Sequence, residues 1–197
     1  MTSKKIFVGL CGVAGSGKDY TFGMIHQRFP EAKRISFAGP LKSILVATDP
    51  IIISTPSERS RLSDILFDMS FESAKREYPE VRRLLQTLGT DGIRNVLGQD
   101  VWADAALAKA RRGGPFSVFT DVRFANEANA IRAGGGVIIR VTRPTSRALF
   151  GELGAHSSER NMDDIHADFE FVNDGTSKNT IALMEFVQAA MRADVSQ

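Results

Sequence analysis

The sequence has almost none of the cysteine that builds disulfide frameworks, and it has no apolar run long enough to cross a membrane. Cys11 is the only cysteine, which excludes an internal disulfide and is consistent with a reducing compartment. A membrane-spanning helix needs about 20 predominantly apolar residues, and no run approaches that length. Residues 1–5 lead straight into an apolar strand pattern, which leaves no room for a signal peptide. We therefore expect a cytoplasmic protein with no membrane partner.

The sequence also lacks a charge excess of either sign. Lys and Arg total 25 and Asp and Glu total 23, which gives a formal net charge of +2. This balance argues against a nucleic-acid partner, which would need a broad basic surface, so any anion must be bound by a local cluster of cations. With 197 residues, 43% of them hydrophobic, the chain is long enough for one α/β domain with a substantial core.

Short apolar runs alternate with segments of helical spacing along the whole chain. The runs predict strands at residues 5–9, 34–37, 116–120, 137–142 and 169–173. Helices are predicted at residues 19–29, from Pro40 onward, around residues 81–88, from the Asp100 cap to Arg112, at residues 126–133 and at residues 180–192. Residues 54–63 hold few apolar side chains, which predicts a mobile loop or the edge of a lobe. Because the strands are apolar without alternation, we expect a parallel sheet covered on both faces, with ligands beyond the carboxyl ends of its strands.

Residues 12–19 form a glycine-rich segment, Gly-Val-Ala-Gly-Ser-Gly-Lys-Asp, between the first predicted strand and the first predicted helix. This spacing is typical of a phosphate-binding loop, whose backbone N–H groups point at phosphate oxygens. Glycine leaves room for that approach, Lys18 can follow the β- and γ-phosphates, and the helix presents its positive N-terminus. The pattern predicts a nucleoside triphosphate site. Its candidate residues are Gly12, Gly15, Ser16, Gly17, Lys18 and Asp19.

The residue after Lys18 departs from the usual pattern of such loops. A Ser or Thr hydroxyl normally ligates Mg²⁺ at this place, whereas this chain has Asp19. A carboxylate is also a hard oxygen ligand, so Asp19 is a candidate metal ligand. The same side chain could instead position a substrate hydroxyl or cap the helix, and the sequence leaves these three roles open.

Thr120-Asp121-Val122-Arg123 follows the third predicted strand at its carboxyl end. An acid at this place in phosphate-loop enzymes holds the Mg²⁺ shell or orients the attacking group, so Asp121 is a candidate for both roles. Arg123 can reach a phosphate from the same side, although the two side chains would also suit a turn that caps the next helix. Glu127 lies one helical turn further on, where it would either orient Arg123 or face solvent.

A second cluster lies in the helix predicted around residues 81–88. Helical spacing brings Arg82, Arg83 and Gln86 within one turn of each other. Two guanidinium groups can clamp a second phosphate, and an amide can both donate to and accept from a base edge. A charged, solvated helix face is an equally good interpretation.

Residues outside these motifs are weaker candidates. Phe37 could stack on a base, Lys42 could neutralise an acceptor phosphate and Trp102 could form a wall of the substrate pocket, although packing is the ordinary role of each aromatic residue. Arg143 follows the fourth predicted strand, and with Arg147 it could close on the transferring phosphate from a lid-like loop at approximately residues 144–166. Asn173 follows the fifth strand and either contacts the adenine or forms a turn.

Taken together, these motifs resemble the phage-type deoxynucleoside monophosphate kinases. The resemblance rests on residues 15–19, 37–42, 82–90, Trp102, residues 120–123, Glu127, residues 141–144 and residues 172–175. It implies a P-loop NTPase of the nucleoside-monophosphate-kinase-like class, with a five-stranded parallel sheet flanked by helices and small substrate-binding and lid segments. It also implies one kinase domain over residues 1–197, with a substrate-binding helical part at approximately residues 40–112.

The resemblance further implies phosphoryl transfer from ATP, with Mg²⁺, to a deoxynucleoside monophosphate. It assigns residues 16–19 to the ATP site. The residues it assigns to the acceptor and catalytic site are Arg82, Arg83, Gln86, Gly89, Thr90, Trp102, Asp121, Arg123 and Glu127. Lys18, Arg82, Asp121 and Arg123 are the expected catalytic residues, and Asp19 and Asp121 the expected metal ligands. The family often has Thr after Gly-Lys-Asp, but this chain has Tyr20.

Two alternatives remain open from the sequence. A phosphomevalonate kinase of the animal type shares the Gly-Lys-Asp-Tyr, Gly-Pro-Leu-Lys and Asp-x-Arg patterns, and a non-catalytic nucleotide-binding module needs only the phosphate loop. The paired arginines favour a kinase, because a switch needs no second phosphate site. The expected partners are ATP and a deoxynucleoside monophosphate, a homodimer is an assembly to be tested, and the resemblance suggests a bacteriophage protein in the cytoplasm of its host cell.

Overall fold

The computed structural model describes residues 5–55, 57–144 and 164–193, in which the chain forms two compact units. The first unit comprises Met1–Phe37 and Ala103–Gln197, and the second comprises Ala38–Trp102. In chain order the elements are β1 (Ile6–Cys11), α1 (Lys18–Arg28), β2 (Ala32–Ile35), α2 (Gly39–Thr48), β3 (Ile51–Thr55), β4 (Glu58–Arg61), α3 (Leu62–Asp68), α4 (Phe71–Glu77), α5 (Pro79–Gln86), a π-helix (Thr87–Arg94), α6 (Asn95–Leu97), α7 (Val101–Arg112), β5 (Phe116–Val122), α8 (Ala125–Ala133), β6 (Val137–Thr142), β7 (Phe169–Val172) and α9 (Ser177–Ala193).

The first unit is built on a five-stranded sheet with the order β2-β5-β1-β6-β7. Every neighbouring pair is parallel. Alternate residues of β1 enter two different hydrophobic cores: Phe7 packs with residues of α7 and α8, and Val8 with residues of α1 and α9. Burial of both faces explains why the strands read as continuous apolar runs rather than alternating ones.

The parallel order places the carboxyl ends of all five strands at one edge of the sheet. The loop of residues 12–17 follows β1 at this edge, Ser36 follows β2, Arg123 follows β5, Arg143 follows β6 and Asn173 follows β7. The predicted five-stranded parallel sheet with flanking helices is confirmed. Each of the five predicted strands and the helices of this unit overlaps the observed element, with ends that differ by a few residues.

The second unit is helical apart from one hairpin. Its core is formed by buried residues of α2, β3, α3, α4 and α5: Leu45, Ile52, Leu62, Ile65, Ala74 and Val81. Pro40 lies in the first turn of α2, as its sequence position predicted, because a missing N–H costs nothing there. Leu41 and Leu45 on α2 are buried, whereas Ile44 is exposed.

Residues 54–63 were predicted to be a mobile loop or a lobe edge, and the mobile loop is wrong because the segment contains regular structure. β3 and β4 pair as an antiparallel hairpin over part of this segment, and α3 begins at Leu62. Ile52 lies opposite Ser60 and is fully buried, so one buried side chain anchors an otherwise largely exposed ribbon to the core. Among the described residues, no helix combines the length and the apolar character needed to cross a membrane.

Candidate functional site

Three glycines of the loop after β1, Gly12, Gly15 and Gly17, have a positive φ, and at Gly12 and Gly17 a Cβ would also overlap a neighbouring atom. Gly12 has φ +146°, and a Cβ there would overlap the Val141 carbonyl oxygen, which is backbone and cannot move aside. Gly17 has φ +94°, and a Cβ there would overlap Asn173 Nδ2. L side chains rarely adopt either conformation. The loop is therefore a tight concave turn against β6 and Asn173.

Lys18 lies at the start of α1 and folds back over this turn. Its Nζ donates to the carbonyl oxygen of Gly12 at 2.6 Å and to that of Val13 at 2.9 Å. Burial lowers the pKa of the Lys18 ammonium group, and the positive charge of Arg123 lowers it further. The predicted phosphate-binding lysine is thus a partly desolvated cation held at the turn, where an anion would compensate its charge.

The rear of the loop is closed by Ser16 and Asn173. Ser16 is fully buried, and its Oγ has no hydrogen-bond partner among the described residues. Asn173 Nδ2 donates to the Ser16 carbonyl oxygen at 3.3 Å, and the Asn173 N–H donates to the Thr142 carbonyl oxygen at 2.7 Å. The Asn173 side chain therefore supports the loop backbone, in addition to its predicted role beside the nucleotide.

Asp19 is paired with an arginine that the sequence analysis did not select. An Arg34 guanidinium nitrogen donates to Asp19 Oδ1, and Arg34 Nε donates to Thr120 Oγ1 at 3.1 Å. The side chains of both members are largely exposed, 51% for Arg34 and 74% for Asp19. Arg34 thereby links the carboxylate after the phosphate loop to the carboxyl end of β5.

Asp121 lies inside β5 and is held by the end of β2. One of its oxygens accepts from Ser36 Oγ at 2.6 Å and the other from the Phe37 N–H at 2.9 Å. The β1–β5 register advances from Gly9–Phe119 to Cys11–Val122, so β5 contains one extra residue here. Such bulges re-aim side chains and are frequent beside active sites. Asp121 is a fixed carboxylate at the predicted edge.

The prediction that Phe37 stacks on a base conflicts with its position. Its side chain is only 3% exposed and stacks on Phe119 with a centroid distance of 5.1 Å. The ring therefore packs in the core that also contains Phe7, because burial of an aromatic ring stabilises the fold more than exposure to solvent does. What Phe37 contributes to the site is its backbone N–H, which positions Asp121.

Glu127 fixes the backbone of the Arg123 turn. The residue is 7% exposed, and its Oε2 accepts from the N–H groups of Arg123 at 2.8 Å and of Phe124 at 3.1 Å. Of the two roles left open by the sequence, a solvated helix residue is excluded, and the contact to Arg123 runs through its main chain. The exposed Arg123 guanidinium therefore projects from an anchored turn.

Arg143 is exposed at the carboxyl end of β6, on the same edge as the phosphate loop. The lid predicted at approximately residues 144–166 lies almost entirely outside the described residues, and so does Arg147. That part of the site stays a prediction.

In the second unit, the two predicted clamp arginines have different surroundings. Arg83 forms a bidentate pair with Glu80, with Nε and a terminal nitrogen each 2.7 Å from a carboxylate oxygen, and its side chain is 60% exposed. Arg82 lines an open cleft of about 440 Å³ together with Glu72, Lys75 and Arg76. Of the pair, Arg82 is therefore the one that faces a cavity.

Lys42 belongs to a small ion network in the same unit. Its Nζ donates to Glu72 Oε1 at 3.0 Å, and Lys75 Nζ donates to Glu72 Oε2 at 3.0 Å. Burial raises the pKa of the Glu72 carboxyl, but the two lysine hydrogen bonds outweigh that effect and lower its pKa overall. Glu72 is thus ionised and neutralised by two lysines.

The remaining acceptor-site candidates are Gln86 on α5, Gly89 and Thr90 on the π-helix, and Trp102 in the first turn of α7. Gln86 and Thr90 are exposed, whereas Gly89 is buried against Leu41. Trp102 Nε1 donates to the Gly89 carbonyl oxygen at 2.9 Å. The indole is therefore hydrogen-bonded to the π-helix. π-Helices are rare and frequently occur at functional sites.

Comparison with known proteins places this geometry in a family. Residues 57–182, more than half of the chain, match the family of deoxynucleotide monophosphate kinases. The chain belongs to the deoxynucleotide monophosphate kinase family. Membership makes it a nucleotide-binding kinase, that is, a transferase. The matched segment contains Arg82, Asp121 and Arg123, and the phosphate loop precedes it.

One relative and two solved structures illustrate the range of similarity. A protein of Acanthamoeba polyphaga mimivirus named "Putative deoxynucleotide monophosphate kinase" is 27% identical over 157 residues, 71% of this chain and 75% of that protein. The dephospho-CoA kinase from Campylobacter jejuni is 15% identical with a TM-score of 0.48, covering 95% of this chain and 98% of its own. Shikimate kinase from Bacteroides thetaiotaomicron is 12% identical with a TM-score of 0.43 and the same coverage of both chains.

Four charged residues near these positions are not part of any motif in the sequence: Arg34, Glu72, Lys75 and Arg76. Each is a charged residue in an edge strand or on a short helix, where charges are usually solvated. The one available signal was density: Glu72, Lys75 and Arg76 lie within five residues of each other, at helical spacing. The described residues contain no group of three or more His, Cys, Asp or Glu side chains that would hold a metal ion on their own.

Proposed function

We propose that this kinase transfers the γ-phosphoryl group of ATP to a deoxynucleoside monophosphate and releases ADP and the deoxynucleoside diphosphate. The observation that carries the proposal is the Lys18 ammonium group, held at a glycine turn, in a chain of this family. Residues of the first unit bind ATP, and residues of the second unit bind the acceptor.

On the ATP side, the loop supplies backbone N–H groups and Lys18 supplies a mobile charge. The partly desolvated ammonium exchanges its two carbonyl partners for phosphate oxygens when ATP binds. This exchange is favourable because phosphate oxygens are negatively charged, so each hydrogen bond then joins two ionised groups instead of an ammonium group and a neutral carbonyl. Arg123 neutralises charge on the transferring group, and the α1 N-terminus faces the phosphates. Arg143 and Asn173 complete the binding of the nucleotide.

The acid residues fit a Mg²⁺ ion that arrives with ATP. Mg²⁺ in such sites is held by one or two carboxylates, phosphate oxygens and waters, so a cluster of three protein acids is not required. Asp121, fixed by Ser36 and Phe37, and Asp19, next to Lys18, are the carboxylates that would hold it. A bound Mg²⁺ would neutralise charge that develops between the phosphates.

The acceptor carries a second anion, so its binding requires a second set of cations. Arg82 and Lys42 are the cations of the second unit that we assign to the acceptor phosphate. Gln86, one turn beyond Arg82 on the same exposed face, is assigned to the base. Phosphoryl transfer then needs little covalent chemistry from the protein, because positioning and charge neutralisation carry it.

The test is a coupled assay of ADP release from ATP with each of the four common deoxynucleoside monophosphates, the matching ribonucleotides and phosphomevalonate. We expect release with at least one deoxynucleotide, and the product should be confirmed as the diphosphate by mass. Activity with phosphomevalonate alone would establish the alternative small-molecule kinase. ATP binding without release for any acceptor would establish a non-catalytic nucleotide-binding module.

A further inference from the structure

Cations from three helices converge on one region of the second unit. Lys42 comes from α2, Lys75 and Arg76 from α4, and Arg82 from α5. The last three line the 440 Å³ cleft, and Glu72 is the only acid among the described residues that lines it with them. The region therefore carries a positive surplus in a chain whose overall charge is nearly balanced.

Glu72 orders two of these cations and neutralises only part of their positive charge. Its two oxygens accept separately from Lys42 and Lys75, so one carboxylate orders two ammonium groups on different helices. Lys42 also lies 5.3 Å from the centroid of the Phe71 ring, which restricts it further. Counted over Lys42, Lys75, Arg76, Arg82 and Glu72, four positive charges face one negative charge.

The two arginines of the cleft have donors available for a ligand. Within the described part of the chain, Arg82 has no hydrogen bond or ion pair, and Arg76 has only a long contact of 3.4 Å to Ser73 Oγ. Guanidinium groups present a planar fork that matches phosphate oxygens. Arg83, by contrast, already uses its fork on Glu80.

We propose that the cleft between α4 and α5 binds the 5′-phosphate of the acceptor nucleotide through Arg76 and Arg82, with Lys75 as the neighbouring charge. The proposal rests on the proposed function and adds two residues, Lys75 and Arg76, that the sequence motifs do not contain. It also gives the adjacent arginines different roles: Arg82 contacts the acceptor, and Arg83 pairs with Glu80 on the surface of α5.

The test compares the full-length variants Arg76→Gln and Lys75→Gln with the wild type. Arg76→Gln should raise the KM for the deoxynucleotide acceptor about tenfold, which is the loss of one charged hydrogen bond. Lys75→Gln should raise it about fivefold, which corresponds to about 1 kcal/mol for one neighbouring charge. Both variants should leave the KM for ATP unchanged. Calorimetry should show the same loss for the monophosphate, and no loss for the corresponding nucleoside, which has no phosphate. Weaker binding at high salt should be most pronounced in the wild type, because it has the most charges at the cleft.

One substitution controls for general effects of charge and folding, and a second discriminates between the two adjacent arginines. Arg59→Gln removes an exposed cation from the β4 strand of the same unit and should leave all constants unchanged. Arg83→Gln should change the acceptor KM by less than about threefold, since its fork is already paired. Thermal unfolding should show that Arg76→Gln and Lys75→Gln are folded as the wild type is.

The outcomes separate this proposal from the proposed function. If the wild type phosphorylates deoxynucleotides and the acceptor KM is unchanged in Arg76→Gln and Lys75→Gln, the cleft is not the acceptor site and the kinase activity stands. If Arg83→Gln raises the acceptor KM more than Arg76→Gln does, Arg83 contacts the acceptor and the proposal is wrong. If no deoxynucleotide is phosphorylated, both proposals are wrong.

Discussion

Arg34 and Asp19 form an ion pair between β2 and the first turn of α1. The pair joins the residue that replaces the usual hydroxyl of a phosphate loop to a strand that neighbours β5. A cation beside a carboxylate opposes the binding of a second cation there. Substitutions of the two residues therefore test whether Asp19 is a metal ligand or only the partner of Arg34.

We expect Asp19→Asn and Arg34→Gln to shift the Mg²⁺ requirement in opposite directions. Removing the carboxylate removes a ligand and raises the free Mg²⁺ needed for half-maximal rate. Removing Arg34 removes a repulsion worth about 1 kcal/mol at contact distance in water, which is roughly fivefold in affinity, and lowers that requirement. Initial rates against free Mg²⁺ at constant ATP measure both shifts.

The same two variants show what the alternative predicts. If Asp19 only pairs with Arg34, both substitutions lose the same exposed ion pair, at about 0.2–1 kcal/mol of unfolding free energy. The Mg²⁺ requirement would then stay unchanged in both. Shifts of the same sign and size in the two variants would also exclude Asp19 as a ligand.

The phosphate loop gives a prediction with an internal control. In Gly12→Ala, the new Cβ overlaps the Val141 carbonyl oxygen, which is backbone and cannot rotate away. We expect ATP binding to be lost and the protein to be destabilised by about 1–3 kcal/mol. Gly23 lies in the interior of α1, where an added Cβ would have no neighbour within 4 Å. Gly23→Ala should raise stability by about 0.5–1 kcal/mol and leave ATP binding intact.

Calorimetric titration with ATP and urea unfolding of both variants supply the measurements. Wild-type affinity in Gly12→Ala would show that the loop tolerates a side chain and that its curvature is not needed for phosphate binding.

The sheet was predictable from the sequence because its strands are buried on both faces. Burial selects short apolar runs, and such runs stand out between polar helix ends, as at β1 and β6. The β3–β4 hairpin was not predictable in the same way. Its ladder alternates one buried residue, Ile52, with exposed Ile51 and Ile53, and its return strand is Glu-Arg-Ser-Arg. Only the tertiary contact of Ile52 with its core decides that this segment is a strand.

The candidate site residues also differ in whether chain geometry or a tertiary contact decides their position. The positions of Lys18 and Asp121 were predictable because they follow from chain geometry, one in a glycine loop and one at a strand end, and their roles stay predictions. Phe37 was misassigned because a ring after a strand can stack on either a ligand or a neighbouring ring, and only the presence of Phe119 decides. Arg76 was not selected because a single charged residue on a short helix forms no recognisable motif. Only the structure shows that Arg76 and Arg82 line the same cleft.

Lys18 gives a prediction about pH. Its pKa is lowered by burial and by Arg123, and ATP binds the protonated form, so ATP affinity should fall as the pH rises through the lowered pKa. Arg123→Ala removes the second cause, so the pKa should rise and the loss of affinity should move to higher pH. ATP affinity measured from neutral to alkaline pH tests both statements. Lys18→Arg is the control, because arginine does not titrate in this range and the alkaline loss should disappear.

Arg123→Ala also tests the assignment of roles. Arg123 is assigned to the transferring group rather than to ATP in the ground state, so we expect kcat to fall by orders of magnitude while the Kd for ATP at neutral pH changes little. Rapid-quench rates and calorimetry separate the two quantities. Equal losses in kcat and in ATP affinity would show that Arg123 acts structurally. Arg192→Ala, an exposed arginine near the end of α9, is the matched control.

Glu127 gives the final prediction, because one of its oxygens serves two main-chain donors. The two N–H groups belong to Arg123 and Phe124, and the carboxyl is nearly buried. Glu127→Gln removes the charge that strengthens both hydrogen bonds, so we expect a loss of about 1–3 kcal/mol in unfolding free energy. Since the turn also carries the Arg123 guanidinium, kcat should fall as well, with the KM for ATP preserved. Glu185→Gln, on the exposed face of α9, should change neither quantity. A Glu127→Gln variant that loses stability but keeps its full kcat would show that the turn holds its shape without this carboxylate, and that Arg123 is positioned by other contacts.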